Sequence, residues 1–249
     1  MIRPSCVKGE VNKMDRCVVI TGAAGGLGHS LVAEHISRGD RIYATDIEMT
    51  DKLQELLDSY GQIEFMLGDV TKPEDVKAFT DMVKSRETKI DLLYNVAGIY
   101  PFSGRTQIQD TDIEFCKTIF DINALGPLRI TQALLDMIQK GSAIINISSE
   151  AGSVSAARRI DDYGYCMSKA AVNMWSKLIS NAVWPRDARV VCFHPGWMRT
   201  RMGGEAAKIS PNAVEPEESG ERIAKIVDRL DQIPRDWMYM DLYGNLMQW

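Results

Sequence analysis

The chain has 249 residues, 45% of them hydrophobic and 25% charged, with a formal net charge of −5. That length supports a substantial core, and that composition excludes a disordered or fibrous chain. The negative balance argues against general nucleic-acid binding, and no apolar run approaches the ~20 residues that cross a bilayer.

Residues 1–14 are polar and of mixed charge, without the apolar segment of a secretory signal, and are expected to form a flexible leader. Residues 16–20 (Arg-Cys-Val-Val-Ile) are a short β-branched run. They lead into Thr21-Gly22-Ala23-Ala24-Gly25-Gly26-Leu27-Gly28 and then a helical pattern through Leu31, Val32, His35 and Ile36. Strand, glycine turn and helix in that order are the context of a dinucleotide fingerprint: glycines permit the tight turn and the close approach of a pyrophosphate, which then faces a helix N-terminus.

Residues 41–46 predict a second strand ending in Asp46. A carboxylate there accepts hydrogen bonds from ribose hydroxyls and repels a 2′-phosphate, and the glycine turn carries no lysine or arginine to offset it. NAD is therefore expected over NADP. A short helix (51–60), a third strand (63–67), a helix opening at Pro73 (73–86) and a fourth strand (90–94) follow. This alternation predicts a single-domain doubly wound Rossmann fold, a parallel sheet of about seven strands flanked by helices, over residues 15–249.

Residues 111–140 carry a long helical pattern that Pro127 should kink or interrupt, with Asn123 at its middle. Residues 143–147 predict a buried strand ending in Ser148 and Ser149, and residues 165–183 a helix. Residues 190–193 predict a strand closed by His194-Pro195-Gly196. Residues 197–218, rich in Gly and Pro from 203 onward, are expected to form a substrate lid. A helix over 219–230 and a last strand over 237–243 complete the chain, with no internal repeat.

Tyr165 and Lys169 lie four residues apart, on one helical face. Free tyrosine, with a pKa near 10, exchanges protons poorly at neutral pH, and a nearby ammonium favours its phenolate. Tyr163 lies six residues before Lys169, off that face, and is assigned to the substrate cleft. Five cysteines (6, 17, 116, 166 and 192) are an odd number without Cys-x-x-Cys spacing. Reduced thiols, a cytoplasmic location and no metal site are the expectation. His29, His35 and His194 are assigned structural or surface roles.

Taken together, the Thr21–Gly28 turn, Asn95-x-Ala97-Gly98, Ile147-Ser148-Ser149, Tyr165-x-x-x-Lys169 and Pro195-Gly196 resemble the compact branch of the short-chain dehydrogenase/reductase family, over nearly all of the chain from Arg16. The helix after Ser168 and the tail ending at Trp249 further resemble the Sniffer/C-factor-like carbonyl reductases. The resemblance implies an NAD(P)-dependent oxidoreductase with a catalytic tetrad of Asn123, Ser149, Tyr165 and Lys169. Ser149 is chosen over Ser148 because the family uses the second hydroxyl and alternation turns only one toward the cleft.

The cofactor residues it implies are Gly22, Ala24, Gly26, Leu27 and Gly28 at the turn, Asp46 and Ile47 after the second strand, and Asp69 and Val70 at the adenine. Asn95, Ala97 and Gly98 line the cleft, Tyr165 and Lys169 meet the nicotinamide ribose, and Pro195, Gly196, Met198 and Thr200 hold the carboxamide side. Substrate is expected to meet Ser149, Tyr100, Pro101, Phe102, Tyr163 and Trp197. Arg158 and Arg159 either bring an anionic group to the cleft mouth or are simply solvated. A homodimer or homotetramer is expected, with outward apolar residues such as Trp175 forming the contact face.

Two positions depart from the family pattern: Tyr94 stands where many members have asparagine, and the stretch from Ser149 to Tyr165 is longer than usual, altering the cleft. The expected reaction is hydride transfer between NAD and a small to medium alcohol or ketone; the alternative is a catalytically silent NAD-binding regulatory protein.

Overall fold

A computed structural model describes residues 15–100 and 107–249. The 1–14 leader and the candidate substrate residues Pro101 and Phe102 lie outside the described residues. Seven parallel strands form one sheet in the order β3-β2-β1-β4-β5-β6-β7. They are β1 (Cys17–Thr21), β2 (Arg41–Asp46), β3 (Ile63–Leu67), β4 (Ile90–Asn95), β5 (Ile138–Ile147), β6 (Arg189–His194) and β7 (Tyr239–Asp241). The strand order reverses between β1 and β4, and a cleft at the carboxyl ends of the strands is where such sheets bind ligands.

Both sheet faces are covered, which is why the central strands read as unbroken apolar runs. One face packs α1 (Gly26–Ser37), α2 (Asp51–Ser59) and α8 (Pro216–Val227) through Leu31, Leu53 and Ile223. The other packs α3 (Pro73–Arg86), α5 (Gly126–Leu134) and the end of α6 (Tyr163–Val183) through Phe79, Ile130 and Val183. The remaining α-helices are α4 (Ile113–Phe120) and α7 (Gly204–Ile209).

The helical pattern read over 111–140 is divided. After α4 the chain widens into a π-helical turn, Asp121–Leu125, then runs as α5 and a 3₁₀ turn, and β5 already begins at Ile138. Pro127 is the cause: it has no N–H to donate to the carbonyl four residues back, that of Asn123, so the α-helical ladder fails upstream of the proline. The final helix spans Pro216–Val227 rather than 219–230, and the final strand is the three-residue Tyr239–Asp241 rather than 237–243.

Tyr94 has a structural account. It is fully buried, and its hydroxyl reaches His35 Nε2 at 3.0 Å, while His35 Nδ1 meets Asp40 Oδ2 at 2.7 Å. Arg16 bonds Asp40 in turn at 2.9 Å. Neutral His35 donates to the carboxylate and accepts from the tyrosine, so β4, α1 and β1 are joined by a buried polar chain with every member paired. Burial lowers the His35 pKa, and Asp40 is held at about 2 because hydrogen bonds from His35 and Arg16 outweigh its desolvation.

Candidate active site

At two of its glycines the turn leaves no room for a side chain. Gly22 adopts φ +69°, and a Cβ there would lie 2.7 Å from Ala97 N; on Gly28 it would lie 1.8 Å from Gly22 O. These contacts close α1 against β1 and bring the turn beside the loop after β4. Thr21 Oγ1 completes the join by accepting from Val96 N and Ala97 N at 3.1 and 3.3 Å.

Asp46 ends β2, with Oδ2 accepting from Ala24 N at 2.8 Å and Oδ1 from Ile47 N at 2.7 Å. Burial raises its pKa and these backbone bonds oppose the rise. Leu27 is buried, and Ile47 is exposed. Asp69 turns its carboxylate onto Thr71 N and Oγ1, and Val70 packs under Gly126. A cavity of about 320 Å³ opens at Gly25 and Gly26, with Lys52, Arg199, Arg201 and Lys208 among its walls. These cations come from segments far from the glycine turn in sequence, so the turn itself carries no sign of them. Folding returns the segment after β6 to the turn.

Asn123 lies in the π-helical turn, where its amide brackets the Ile99 backbone. Oδ1 accepts from Ile99 N at 2.7 Å, and Nδ2 donates to Ile99 O at 2.9 Å. Gly98 runs against it, since a Cβ there would lie 3.1 Å from Asn123 Oδ1 and 3.8 Å from Lys169 Nζ. Lys169 is buried, donates to Ile147 O at 2.8 Å, and sits 5.7 Å from the centre of the Tyr165 ring. Burial pulls its pKa down to about 8. Burial also raises that of Tyr165, against an opposing hydrogen bond with Ser149.

The two serines divide as alternation requires. Ser148 Oγ faces inward to Asn173 Oδ1 at 2.6 Å, while Ser149 Oγ donates to Glu150 Oε2 at 2.6 Å. Asn123, Gly98, Ser149, Tyr165 and Lys169 thus converge at the carboxyl ends of β4 and β5.

A charged network borders this group. Tyr100 packs edge-on to Tyr165 at 4.9 Å and donates to Asp162 Oδ2 at 2.5 Å. Asp162 is buried with φ +59°, a backbone state that aspartate tolerates, and precedes α6 without capping it. Arg159 joins Asp162 at 2.9 Å to Glu150, and His194 Nδ1 lies 3.4 Å from Glu150 Oε2. Glu150 and Asp162 had no sequence signal beyond their places beside Ser149 and at the helix start. Arg158 is exposed and bonds Ala157 O, and Tyr163 bonds Ile160 O, so both engage the loop before α6.

On the far wall, Pro195 O accepts from Ser219 Oγ, and Gly196 has φ +83°. Met198 bridges Val214, and Thr200 N donates to Met198 O. Trp197 is 43% exposed and its indole donates to Gly203 O at 3.1 Å. The segment 197–218, expected as a lid, therefore folds on itself, with α7 anchored by fully buried Ala207.

The fit to a nicotinamide dinucleotide rests on three observations. The turn, with glycine at 22, 25, 26 and 28, leads into the N-terminus of α1. Asp46 closes the end of β2. Buried Asn95 Oδ1 and Thr45 Oγ1 have no hydrogen-bond partner, and Lys169 has N–H groups beyond the one given to Ile147 O. Among the described residues no cluster of His, Cys, Asp and Glu has metal-ligand geometry, and no helix is long and apolar enough to cross a membrane.

The chain is 32% identical over 224 residues to a short-chain type dehydrogenase/reductase of Sinorhizobium fredii, covering 88% of this chain but 39% of that protein. It is 34% identical to C-signal of Myxococcus xanthus over 64% of this chain and 93% of that one. Among solved structures, NADPH-bound carbonyl reductase from chicken fatty liver matches with TM-score 0.84 at 26% identity, covering 94% of this chain and 99% of the other. Carbonyl reductase Sniffer of D. melanogaster shares the fold at TM-score 0.84 and 22% identity, with the same coverage of both chains. The short chain dehydrogenase profile matches residues 16–209, and with the glycine turn and the sheet order in place, the chain belongs to the short-chain dehydrogenase/reductase family.

Proposed function

We propose that the chain transfers hydride between a nicotinamide cofactor, NAD in preference to NADP, and a small to medium alcohol or ketone, with Tyr165 as general acid and base. The observation that carries this reading is the convergence of Ser149, Tyr165, Lys169 and Asn123 at the switch-point end of the sheet. The nicotinamide supplies the hydride chemistry when bound. Ser149 orients the substrate oxygen, and Tyr165 gives a proton to it during reduction or takes one during oxidation. Lys169 holds a positive charge near the phenol, which favours its ionised form, and its unused N–H groups suit ribose hydroxyls. Asn123, held to the Ile99 backbone, keeps the chain next to Lys169 open for a water that links the lysine to solvent. Asp46 supports the NAD assignment by its charge at the end of β2, although the chicken carbonyl reductase named above holds NADPH.

A panel of alcohols and ketones followed at the NADH and NADPH absorbance tests the reading. Turnover is expected with at least one carbonyl class, and Tyr165→Phe should lower it ~10²–10⁴-fold while cofactor binding persists. Cofactor binding without turnover on any member would favour a regulatory protein of this fold.

A further inference from the structure

Ser149 has one proton, and in this structure it is donated to Glu150 Oε2 at 2.6 Å. To donate to a substrate oxygen the hydroxyl must turn away, which deprives Oε2 of its donor. The neighbours do not replace it. Arg159 bonds the other oxygen, Oε1, and His194 Nδ1 accepts the Glu150 N–H at 3.3 Å, so neutral His194 presents no proton there. The Glu150 side chain is 44% exposed, so water takes up the freed oxygen until a ligand donor at the right spacing replaces that water.

We propose that Glu150 is a specificity-determining residue of the substrate site, selecting carbonyl and carbinol compounds that carry a hydroxyl or ammonium donor on the carbon next to the reacting one. The inference rests on the reaction proposed above. In such a compound the reacting oxygen accepts from Ser149 and Tyr165 while the adjacent donor takes the place on Oε2 that the Ser149 proton leaves. The spacing fits, because Glu150 is bonded directly to Ser149 and the two substrate heteroatoms are separated by a single carbon–carbon bond.

Charge points the same way. Arg159 is held between Glu150 and Asp162, and Arg158 is turned outward onto Ala157 O. Neither guanidinium of this loop therefore faces the cleft uncompensated, and Glu150 opposes an acidic substrate. Burial raises the Glu150 pKa, but hydrogen bonds from Ser149 and Arg159 outweigh it and keep the carboxylate ionised.

The test compares butanone, acetoin, the amino analogue of acetoin and alpha-ketobutyrate as substrates of wild type, Glu150→Ala and Glu150→Gln. Wild type should favour acetoin and the amino ketone over butanone by at least roughly tenfold in kcat/KM, with the keto acid poorest. Glu150→Ala should bring the acetoin-to-butanone ratio of kcat/KM down to about one, whatever it does to either value alone, since no donor on butanone uses the carboxylate. Glu150→Gln, which keeps an acceptor oxygen without the charge, should retain the hydroxyl preference and lose the ammonium one. Calorimetric titration of the NAD complex with butanediol and butanol gives a readout apart from turnover: the diol should bind more tightly, and only with Glu150 or Gln at the position. Equal wild-type values for butanone and acetoin, a preference that survives Glu150→Ala, or preference for the keto acid would overturn the proposal. Absence of turnover with Glu150-dependent diol binding intact would defeat the hydride-transfer reading alone.

Discussion

Lys169 is the residue whose environment makes the sharpest statement about pH. Burial lowers its pKa to about 8, so the ammonium is present below that pH and lost above it. The charge near Tyr165 disappears with it, and Tyr165 itself is displaced upward, away from this range. Reduction measured as kcat/KM, which reports the free enzyme, should therefore fall as pH rises through about 8. Lys169→Arg, whose guanidinium stays charged throughout, should remove that limb; an unchanged limb would assign it elsewhere. Asp46 gives the second test at this scale. Asp46→Ala should narrow a preference for NAD over NADP, read as the ratio of kcat/KM values. A wild type that already prefers NADPH would overturn the assignment. The placement of these two residues was legible because it depends on spacing along one helix and on the end of one strand. Glu150 was not, because its bond to Ser149 is set by a side-chain rotamer, and Arg159 parted from Arg158 only through the turn of the loop before α6.

At the scale of elements, strands and flanking helices were legible where a single period holds, and they blurred where two periods meet. The run 111–140 has helical spacing throughout, yet its last residues enter β5, because Ile138 pairs with Ile90 across the sheet, a contact no local pattern encodes. The π-helical turn was half visible: Pro127 announced an interruption, and the missing N–H placed it upstream. The tail shows a further long-range join. Tyr239 in β7 donates to Ser149 O at 2.5 Å, Trp249 stacks on the Tyr239 ring at 5.2 Å, and Ser153 Oγ donates to Gln248 O at 2.7 Å. The carbonyl of the proposed catalytic serine is thus held by the last strand. Tyr239→Phe should strand that buried oxygen, with ~1–3 kcal/mol lost in denaturant unfolding and a fall in kcat larger than any change in NAD affinity. Equal kcat with reduced stability would show that β7 supports the fold without positioning Ser149.

For the whole molecule the question is which face meets another copy. Trp175, expected to point outward, is 8% exposed and packs with Ala124 and Val172. Its helix face turns inward because Val172 beside it packs in the same cluster, with Phe120 and Leu128 against it, and Ser176 accepts from Asn146 Nδ2 of β5. The outward stripe of α6 is Met167, Met174 and Leu178, exposed by 52%, 64% and 59% and separated by seven and four residues, so they lie along one helical face. Apolar side chains repeated along one exposed face mark an association surface more than scattered ones do. A homodimer or homotetramer built on α6 is therefore expected by light scattering, and Leu178→Arg with Met174→Arg should shift it to monomer without loss of helical content. A wild type that stays monomeric at micromolar concentration would remove α6 as an interface. A monomeric double variant with full turnover would show that each active site is complete within one chain, as the location of Asn123, Ser149, Tyr165 and Lys169 on a single sheet end requires.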